Sequence, residues 1–502
     1  MTGRLDPVLA VIDIGSNSGR MEVIRIRAGG HLEVISDSRA PLRLTLDVQR
    51  SGRFSALTIV RTVAVLRDFA ALARSAGARR TLAVATEAVR VSANADELIG
   101  RANDEAGIDL RVISGEDEGR YSFAGAVHGI DARSGLVVDL GGGSLEITRF
   151  RERAPERSWT LPLGSLRVSD RFLTSDPPDA DEVEAVRKYT INLLKKEGVS
   201  ELEDGEQLVG TGGTLRNLAK IDRANFAYPI PRIHGYVLDR SHIKTIVDRL
   251  ASKSISGRRR IGGLNRDRAD SIVGGAVVAS SLMKALGASD LVVSGQGLRE
   301  GVALEAGALE VGSIEHVRDA SIETLTSRFS GWDRARADRR ASLSTLLLDA
   351  IEPGADGDAR QRLARAAWIL DVGRSVDYYQ RHQHAADIVV EADLAGFSHR
   401  DLAFLAAVIR GAGEDDVRRQ YGPLLLSEDR EEIAREGLIL LLADEIEQRM
   451  RSTRSDEVNC ISKSKSVILE APIFDPWRQE SLSQRFRLVF GRKLVIVPPD
   501  RA

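Results

Sequence analysis

The chain has 502 residues, with 71 basic against 73 acidic side chains, a formal net charge of −2, 43% hydrophobic and 29% charged residues. Such a length and balance predict about three globular domains and exclude a disordered or fibrous polymer and a strongly basic nucleic-acid binder. They leave an anionic ligand open, because local placement of charge outweighs the sum.

The N-terminus, MTGRLDPVLAVIDIG, lacks the basic region, apolar stretch and small-residue cleavage site of a signal peptide. No apolar run approaches the ~18 residues of a membrane span, and the single Cys460 excludes an internal disulfide framework. A cytoplasmic chain with no membrane and no nucleic-acid partner is expected. Residues 8–14 (VLAVIDI) predict a buried strand ending in a tight turn at Gly15, and 20–26 a second strand. Apolar spacing predicts a helix over 57–76, a strand over 81–85, a helix over 94–107, a strand over 110–114 and a helix over 115–128. The order then restarts with strands at 136–140 and 145–150. A helix near 181–197, a strand at 207–210, helices near 239–251 and 268–286 and a strand at 291–294 follow. Alternating strands and helices predict an α/β architecture. Beyond about 310, helical periodicity dominates to about 450, and the short runs SVILE, RFRLVF and KLVIV predict two or three strands. Four segments result: an α/β domain over 1–127, a second over 128–310, a helical domain over 311–465 and a small β appendage over 466–502.

The most informative feature is an internal echo. Residues 13–18 read Asp-Ile-Gly-Ser-Asn-Ser and residues 139–144 read Asp-Leu-Gly-Gly-Gly-Ser, each after an apolar strand and before an alternating one. Turns built from Gly15, Ser16, Asn17 and Ser18, and from Gly141, Gly142, Gly143 and Ser144, expose backbone N–H groups in a concave nest that holds an anion. A carboxylate at each strand end, Asp13 or Asp139, would repel a phosphate unless a divalent cation lay between them, which points to Mg²⁺, or Mn²⁺. Two matched loops predict duplicated domains facing one cleft. Neither GxxxxGK[ST] nor GxGxxG after a strand occurs. A third segment, Gly210-Thr-Gly-Gly-Thr214, places Gly212, Gly213 and Thr214 at a helix start, where amides bind anions, although Thr214 could equally be a plain N-cap. Ser294-Gly-Gln-Gly-Leu-Arg-Glu-Gly301 repeats the strand-to-helix pattern, with close packing as good an explanation as ligand contact.

These motifs resemble the exopolyphosphatase and guanosine pentaphosphate phosphohydrolase family of the actin, sugar-kinase and Hsp70 fold group. The resemblance rests on VIDIGSNSGRMEVI, TEAVR at 86–90, VISGEDEGRYSFAGAV at 112–127, VVDLGGGSLEIT, GTGGTLRNLA and SGQGLREGV, in family order over the first ~310 residues. It implies two duplicated actin-like (ribonuclease H-like) α/β domains flanking a cleft, then an all-helical HD-like domain and a small β tail. It also implies that Glu118 is the acid/base residue orienting the attacking water, with Glu116 and Asp117 as helix-start residues. From its place near a helix N-terminus, Glu118 is expected to stay ionised without a raised pKa. By the same resemblance Arg90 contacts phosphate and Glu146 lies near the metal with Asp13 and Asp139. Arg268 and Asp270 fall near a family R-A-D stretch without an assigned role.

Residues 367–401 resemble the HD-like domain of long family members, but Leu370-Asp371 stands where a metal site needs His-Asp. Metal-dependent hydrolysis by that domain is therefore not expected; His382 and His384 read as surface or substrate-channel residues, and Asp444 remains nearby. The long form implies extra surface for extended polyphosphate or for a homodimer. The resulting expectation is an exopolyphosphatase releasing orthophosphate from inorganic polyphosphate. The closest alternative is guanosine pentaphosphate hydrolysis at the same site; a small-molecule kinase and a non-catalytic polyphosphate sensor are alternatives of other classes. The 61 Arg against 10 Lys could reflect phosphate-binding forks or merely a GC-rich genome. Some of them, Arg258–Arg260 among the candidates, are expected to line a positive groove.

Overall fold

The computed structural model describes residues 7–413, 418–450 and 458–498. The chain divides into two compact units: residues up to 228 with 232–320, and 321–502 with 229–231.

The first unit contains two sheets. One joins β1 (Val8–Ile14), β2 (Ser18–Ile26), β3 (Leu32–Pro41), β4 (Arg80–Ala85) and β5 (Leu110–Val112) in the order β3-β2-β1-β4-β5. The other joins β6 (Gly135–Leu140), β7 (Leu145–Arg151), β8 (Ala154–Leu161), β9 (Gln207–Thr211), β10 (Tyr236–Asp239) and β11 (Asp290–Val293) in the order β10-β11-β9-β6-β7-β8. Each sheet begins with a three-stranded antiparallel meander and continues with a parallel strand on the far side of its first strand. The duplication expected from the two loops is therefore a duplication of topology, and the two lobes are of the expected actin-like α/β kind. β1 and β6 are central strands buried on both faces, which is why they read as continuous apolar runs.

Six helices position the site: α1 (Leu44–Ser51), α2 (Gly115–His128), α3 (Ser165–Phe172), α4 (Gly213–Arg223), α5 (Ile272–Ala285) and α6 (Leu298–Ala306). Two of them, α2 and α6, link the two lobes. Tyr121 of α2 packs with the first lobe, among Leu9, Val11, Ile24 and Val84. Phe123, Ala126 and Val127 of the same helix pack with Val137, Phe150 and Val209 of the second. Helix α6 follows the last strand of the second sheet, yet Leu298, Val302, Ala303 and Leu304 join the core of the first. The two helices meet through glycine: a Cβ on Gly125 would lie 1.9 Å from the Gly297 carbonyl oxygen, and one on Gly301 would lie 2.0 Å from that of Tyr121.

The second unit is helical over Arg334–Ile351, Gly357–Ile369, Arg381–Glu391, His399–Gly411 and Asp429–Glu447, and ends in a three-stranded sheet. That sheet comprises Asn459–Ser462, Ser466–Glu470 and Lys493–Val497. RFRLVF, expected as a strand, lies within the helix Pro476–Phe490 instead, and the third strand comes from residues expected in the helical domain. Leu482 and Phe486, one turn apart, are the buried positions of that helix. Asp475 accepts from the Trp477 amide at its start, with Pro476 in its first turn.

Candidate active site

Both glycine loops are hairpin turns closed by the same hydrogen bond: Gly15 N–H donates to the Ser18 carbonyl at 3.2 Å, and Gly141 N–H to that of Ser144 at 3.1 Å. Each is held from behind by a helix start. The Ser16 and Asn17 carbonyls accept from the amides of Thr45, Leu42 and Arg43 at the entry to α1; the Gly141, Gly142 and Gly143 carbonyls accept from Ser165, Leu166, Arg167 and Gly164 at the entry to α3. In a planar trans peptide the N–H points opposite to the C=O. Pinning those carbonyls outward therefore turns the amides of Asn17, Ser18, Gly142, Gly143 and Ser144 toward the pocket they line.

The pocket has a volume of about 110 Å³, and Leu298 is the one large apolar side chain among its lining residues. The start of α4 contributes Gly212 and Gly213. Gly212 has φ +92°, and a Cβ there would lie 2.6 Å from Asp139 Oδ1, so this position needs glycine both for conformation and for approach. Thr214 is not the N-cap, a position Gly212 takes; its buried side chain faces Gly275 of α5 and is not among those lining the pocket.

Ser114 caps α2 by accepting from the Asp117 amide at 3.0 Å. Of the three following carboxylates, Glu116 is exposed, Asp117 is half-buried and bonded to Ser114 and Arg120, and Glu118 turns inward. One turn further along α2, Ser122 Oγ donates to Asp139 Oδ2 at 2.6 Å, which ties the helix carrying Glu118 to the strand end carrying Asp139. Burial and the neighbouring Asp139 push the Glu118 carboxyl up to about 8; Arg90 opposes this and Asp13 reinforces it. The expectation of an unshifted pKa is thus overturned. The helix N-terminus does not offset removal from water next to like charge. Asp13 is also raised, chiefly by burial, and Glu146 well above its ordinary range by burial and by Glu118.

Arg90 stands beside Glu118, with Nη1 3.4 Å from Oε2 and donating to the Ile113 carbonyl at 2.7 Å. It braces the carboxylate and is not among the residues lining the phosphate pocket. Glu146, opposite Asp139 in the β6–β7 register, also stays behind the wall; its Oε1 is buried without a hydrogen-bond partner. Asp13 and Asp139 reach the pocket. Among the described residues no three acidic, histidine or cysteine side chains converge on one metal position, so Asp13, Asp139 and Glu146 do not form a ready-made triad.

The arginines of the site are those that sequence reasoning left without a role. Arg20, Arg216 and Arg268 line the pocket. Burial and the cations Arg216, Arg299, Arg268 and Arg39 push Arg20 down to about 9, and burial with Arg39 and Arg216 pushes Arg268 down to about 10. Arg20 is the cross-strand partner of Asp13, as Glu146 is of Asp139; Arg216 falls within the first turn of α4. The position of Arg20 follows from the first loop once the hairpin register is drawn. Arg258, expected in a positive groove, is buried instead. It donates to the carbonyls of Leu250, Lys253 and Ala269 and pairs with Asp176 at 3.1 Å, while Arg259 and Arg260 are exposed.

Comparison with known proteins places this geometry in a family. Residues 23–308 match the Ppx/GppA phosphatase family, and residues 317–484 match the domain described as Ppx/GppA phosphatase, domain III. The chain belongs to the Ppx/GppA phosphatase family. Among its relatives, Exopolyphosphatase 1 of Mycobacterium tuberculosis is 31% identical over 338 residues, covering 66% of this chain and 97% of that one. Exopolyphosphatase 1 of Mycobacterium leprae is 32% identical over 300 residues, covering 59% and 88%. The solved Ppx/GppA family member of Aquifex aeolicus is 30% identical with a TM-score of 0.54 over 60% of this chain and 98% of that one. An exopolyphosphatase from Cytophaga hutchinsonii, 23% identical with a TM-score of 0.55, shares the fold.

The helical unit of this Ppx/GppA phosphatase carries its own carboxylate cluster, built around a cation. Arg340, fully buried, donates to Asp371 Oδ2 at 2.7 Å and to the Ala367 carbonyl at 2.9 Å, and its Nε lies 2.8 Å from Asp444 Oδ1. His382, expected at the surface or in a channel, is half-buried, its Nε2 has no partner, and burial pushes it down to about 4. No helix among the described residues is long and apolar enough to cross a membrane.

Proposed function

We propose that this phosphatase is an exopolyphosphatase, hydrolysing the terminal phosphoanhydride of inorganic polyphosphate. The observation that carries this reading is the meeting, in one small polar pocket, of two amide nests, three arginines and the inward-turned Glu118. The nests and Arg20, Arg216 and Arg268 would bind the terminal phosphoryl group. Glu118 would accept the proton of the attacking water, and its raised pKa suits a base working near neutral pH. Water oxygen bonds to the terminal phosphorus, the bridging P–O bond breaks, and orthophosphate leaves with a chain shorter by one unit. In such a loose transition state, positioning and charge stabilisation outweigh base strength.

The residues present suit Mg²⁺ or Mn²⁺. Magnesium is commonly held by one or two carboxylates together with substrate phosphates and waters. Asp13 and Asp139 supply the carboxylates, with the unpartnered Glu146 Oε1 behind them. When bound, such an ion would neutralise charge on the phosphates. A cytoplasmic homodimer belongs to the same proposal. The test is orthophosphate release from long-chain polyphosphate and from guanosine pentaphosphate, with Glu118→Gln alongside. Release from polyphosphate that collapses in the variant is expected. Activity on the nucleotide alone would replace this reading with its alternative, and full activity in the variant would remove Glu118 from the reaction.

A further inference from the structure

The helical unit holds a polar cavity of its own, of about 420 Å³, whose lining residues all belong to that unit. This volume is in the range of pockets that enclose small organic ligands. Its walls come mainly from the start of the helix Arg381–Glu391, the end of Asp429–Glu447 and the helix Pro476–Phe490. Charge decides the kind of ligand it takes. Arg381, Arg478 and Arg485 line the cavity, and Glu445 is the one carboxylate among the lining residues. That carboxylate is already answered: Arg449 Nη1 donates to its Oε2 at 2.7 Å and Arg478 Nη2 to its Oε1. Asp444, behind the wall, lies 2.8 Å from Arg340 Nε and accepts from Arg381 Nη2 at 2.9 Å and from Gln448 Nε2 at 2.7 Å. The cavity thus offers partners to an anion, not to a metal ion. The bonds to Asp444 also fix the Arg381 guanidinium before any ligand arrives, which lowers the ordering cost of binding.

His382 stands on the same wall. A Cβ on Gly413 would lie 2.9 Å from its Nδ1, so the ring is packed tightly there, and its Nε2 is buried without a hydrogen-bond partner. Burial and the cations Arg381, Arg340 and Arg485 keep the imidazole neutral, which leaves the positive charge of the cavity to its arginines. An aromatic face completes the site. Tyr378 and Tyr379 meet edge to face, with ring centroids 5.8 Å apart. The Tyr378 ring is taken by the guanidinium groups of Arg374 and Arg381, at 5.3 and 4.9 Å. Tyr379 is 89% exposed and carries no such stack among the described residues. A ring left in water beside a cluster of arginines is suited to a nucleotide: the ring stacks a base, and the guanidinium forks bind phosphate oxygens.

We propose that this cavity of the helical unit is a binding site for a nucleoside phosphate, with the base stacked on Tyr379 and the phosphates held by Arg381, Arg478 and Arg485. The site shares no residue with the catalytic pocket, and the proposal does not depend on which anhydride that pocket cleaves.

The test is equilibrium dialysis of ATP, GTP and UTP against full-length protein carrying Glu118→Gln, which prevents turnover, with tripolyphosphate as the probe that has phosphates and no base. At least one nucleotide should bind saturably. Loss of a base–aromatic stack corresponds to about fivefold or more in affinity, so Tyr379→Ala should weaken that nucleotide by this factor and leave tripolyphosphate within about twofold. Tyr379→Phe should restore the nucleotide affinity, because it keeps the ring. Arg478→Gln should weaken the nucleotide by about tenfold, the worth of a charge-assisted contact, and it leaves Glu445 paired with Arg449. Tyr379 is exposed and Arg478 partly so, so both variants should melt at the temperature of the unmodified protein. Three nucleotides that do not bind overturn the site. Binding that both substitutions leave unchanged also overturns it and puts the nucleotide elsewhere, in the catalytic pocket among other places. Weakening by Arg478→Gln alone leaves a site for phosphate without a base, and weakening by Tyr379→Ala alone a site for a ring without phosphate; either result overturns the proposal.

Discussion

Gly143→Ala tests how closely the second loop is fitted to its surroundings. A Cβ at Gly143 would lie 1.5 Å from Glu87 Oε2, 2.7 Å from Glu87 Cδ and 2.9 Å from Ser16 Oγ of the facing loop. Glu87 cannot swing aside freely, because it is buried and its Oε1 accepts from Arg167 Nη2 at 2.5 Å. Either that ion pair breaks, at about 2 kcal/mol for a hydrogen bond to a charged group, or the loop shifts by about 1 Å, a displacement able to cost ~100-fold in rate. Gly142→Ala is the matched control. Its Cβ would meet only the side-chain carbons of Leu166, Asn17 and Ser16, at 3.2 to 3.4 Å, and a loss below about tenfold is expected, since small repacking suffices. Steady-state phosphate release measures both, and Glu87→Ala added to Gly143→Ala should recover part of the loss by opening the space. Gly143→Ala within about threefold of the unmodified enzyme, well short of the 1 Å penalty, would refute the reasoning, as would a greater loss in Gly142→Ala.

The remaining predictions concern titration and burial. Because the Glu118 carboxyl is pushed up to about 8, its basic form is lost as pH falls, so kcat/KM should decline on the acid side well above the ordinary glutamate range. A cation beside Asp13 and Asp139 draws that limb to lower pH, so raising Mg²⁺ should shift it downward; a limb fixed near 4.5 would contradict the burial argument. Arg340→Ala should destabilise the helical unit by about 3–5 kcal/mol, because Asp371 and Asp444 remain buried without their cation. In scanning calorimetry this is a fall of about 10 °C or more, and a fall of only a degree or two would show the carboxylates to be compensated by their other partners. His128, held neutral by burial and Arg153 with a pKa of about 4, takes its proton in the unfolded chain first. Stability should be full above pH 6.5 and fall by about 3 kcal/mol toward pH 4; urea midpoints for His128→Gln should lack that increment.

Where a structural signal was local, it could be read from sequence. The two D-[IL]-G-x-x-S loops, the strand before each and the helix over 115–128 depend on neighbours in the chain, and the structure places them accordingly. Edge elements were less legible. β3 has one buried residue in ten, so its alternation carries no apolar face. RFRLVF has a strand-like composition, and only the capping Asp475, Pro476 and the spacing of Leu482 and Phe486 mark it as helix. Site residues followed the same division. Glycine loops are readable because glycine is required where they stand. The roles of Arg20 and Arg216 depend on strand register and on the approach of α4, and the Glu118 shift depends on packing of α2 against Asp139. None of those is a property of a short segment.

A net charge of −2 in a protein of 71 basic residues is compatible with a polyanionic substrate because most of its charges are already answered internally. Arg149 is paired with Glu206 at 2.8 Å, Arg299 with Glu22 at 2.6 Å and Arg340 with Asp371 at 2.7 Å. Such arginines add to the count and contribute little field at the cleft. Arg20 and Arg268 have no ion pair among the described residues, and Arg39 has only Asp267 at 4.0 Å. These cations crowd one another closely enough to depress the pKa values of Arg20, Arg268 and Lys220. A group of unanswered charges focused in a low-dielectric cleft attracts an anion whatever the sign of the total. Removing the arginine of one of the buried ion pairs would change the net charge as much as removing Arg20, and stability would bear the loss; removing Arg20 takes away attraction at the mouth of the site.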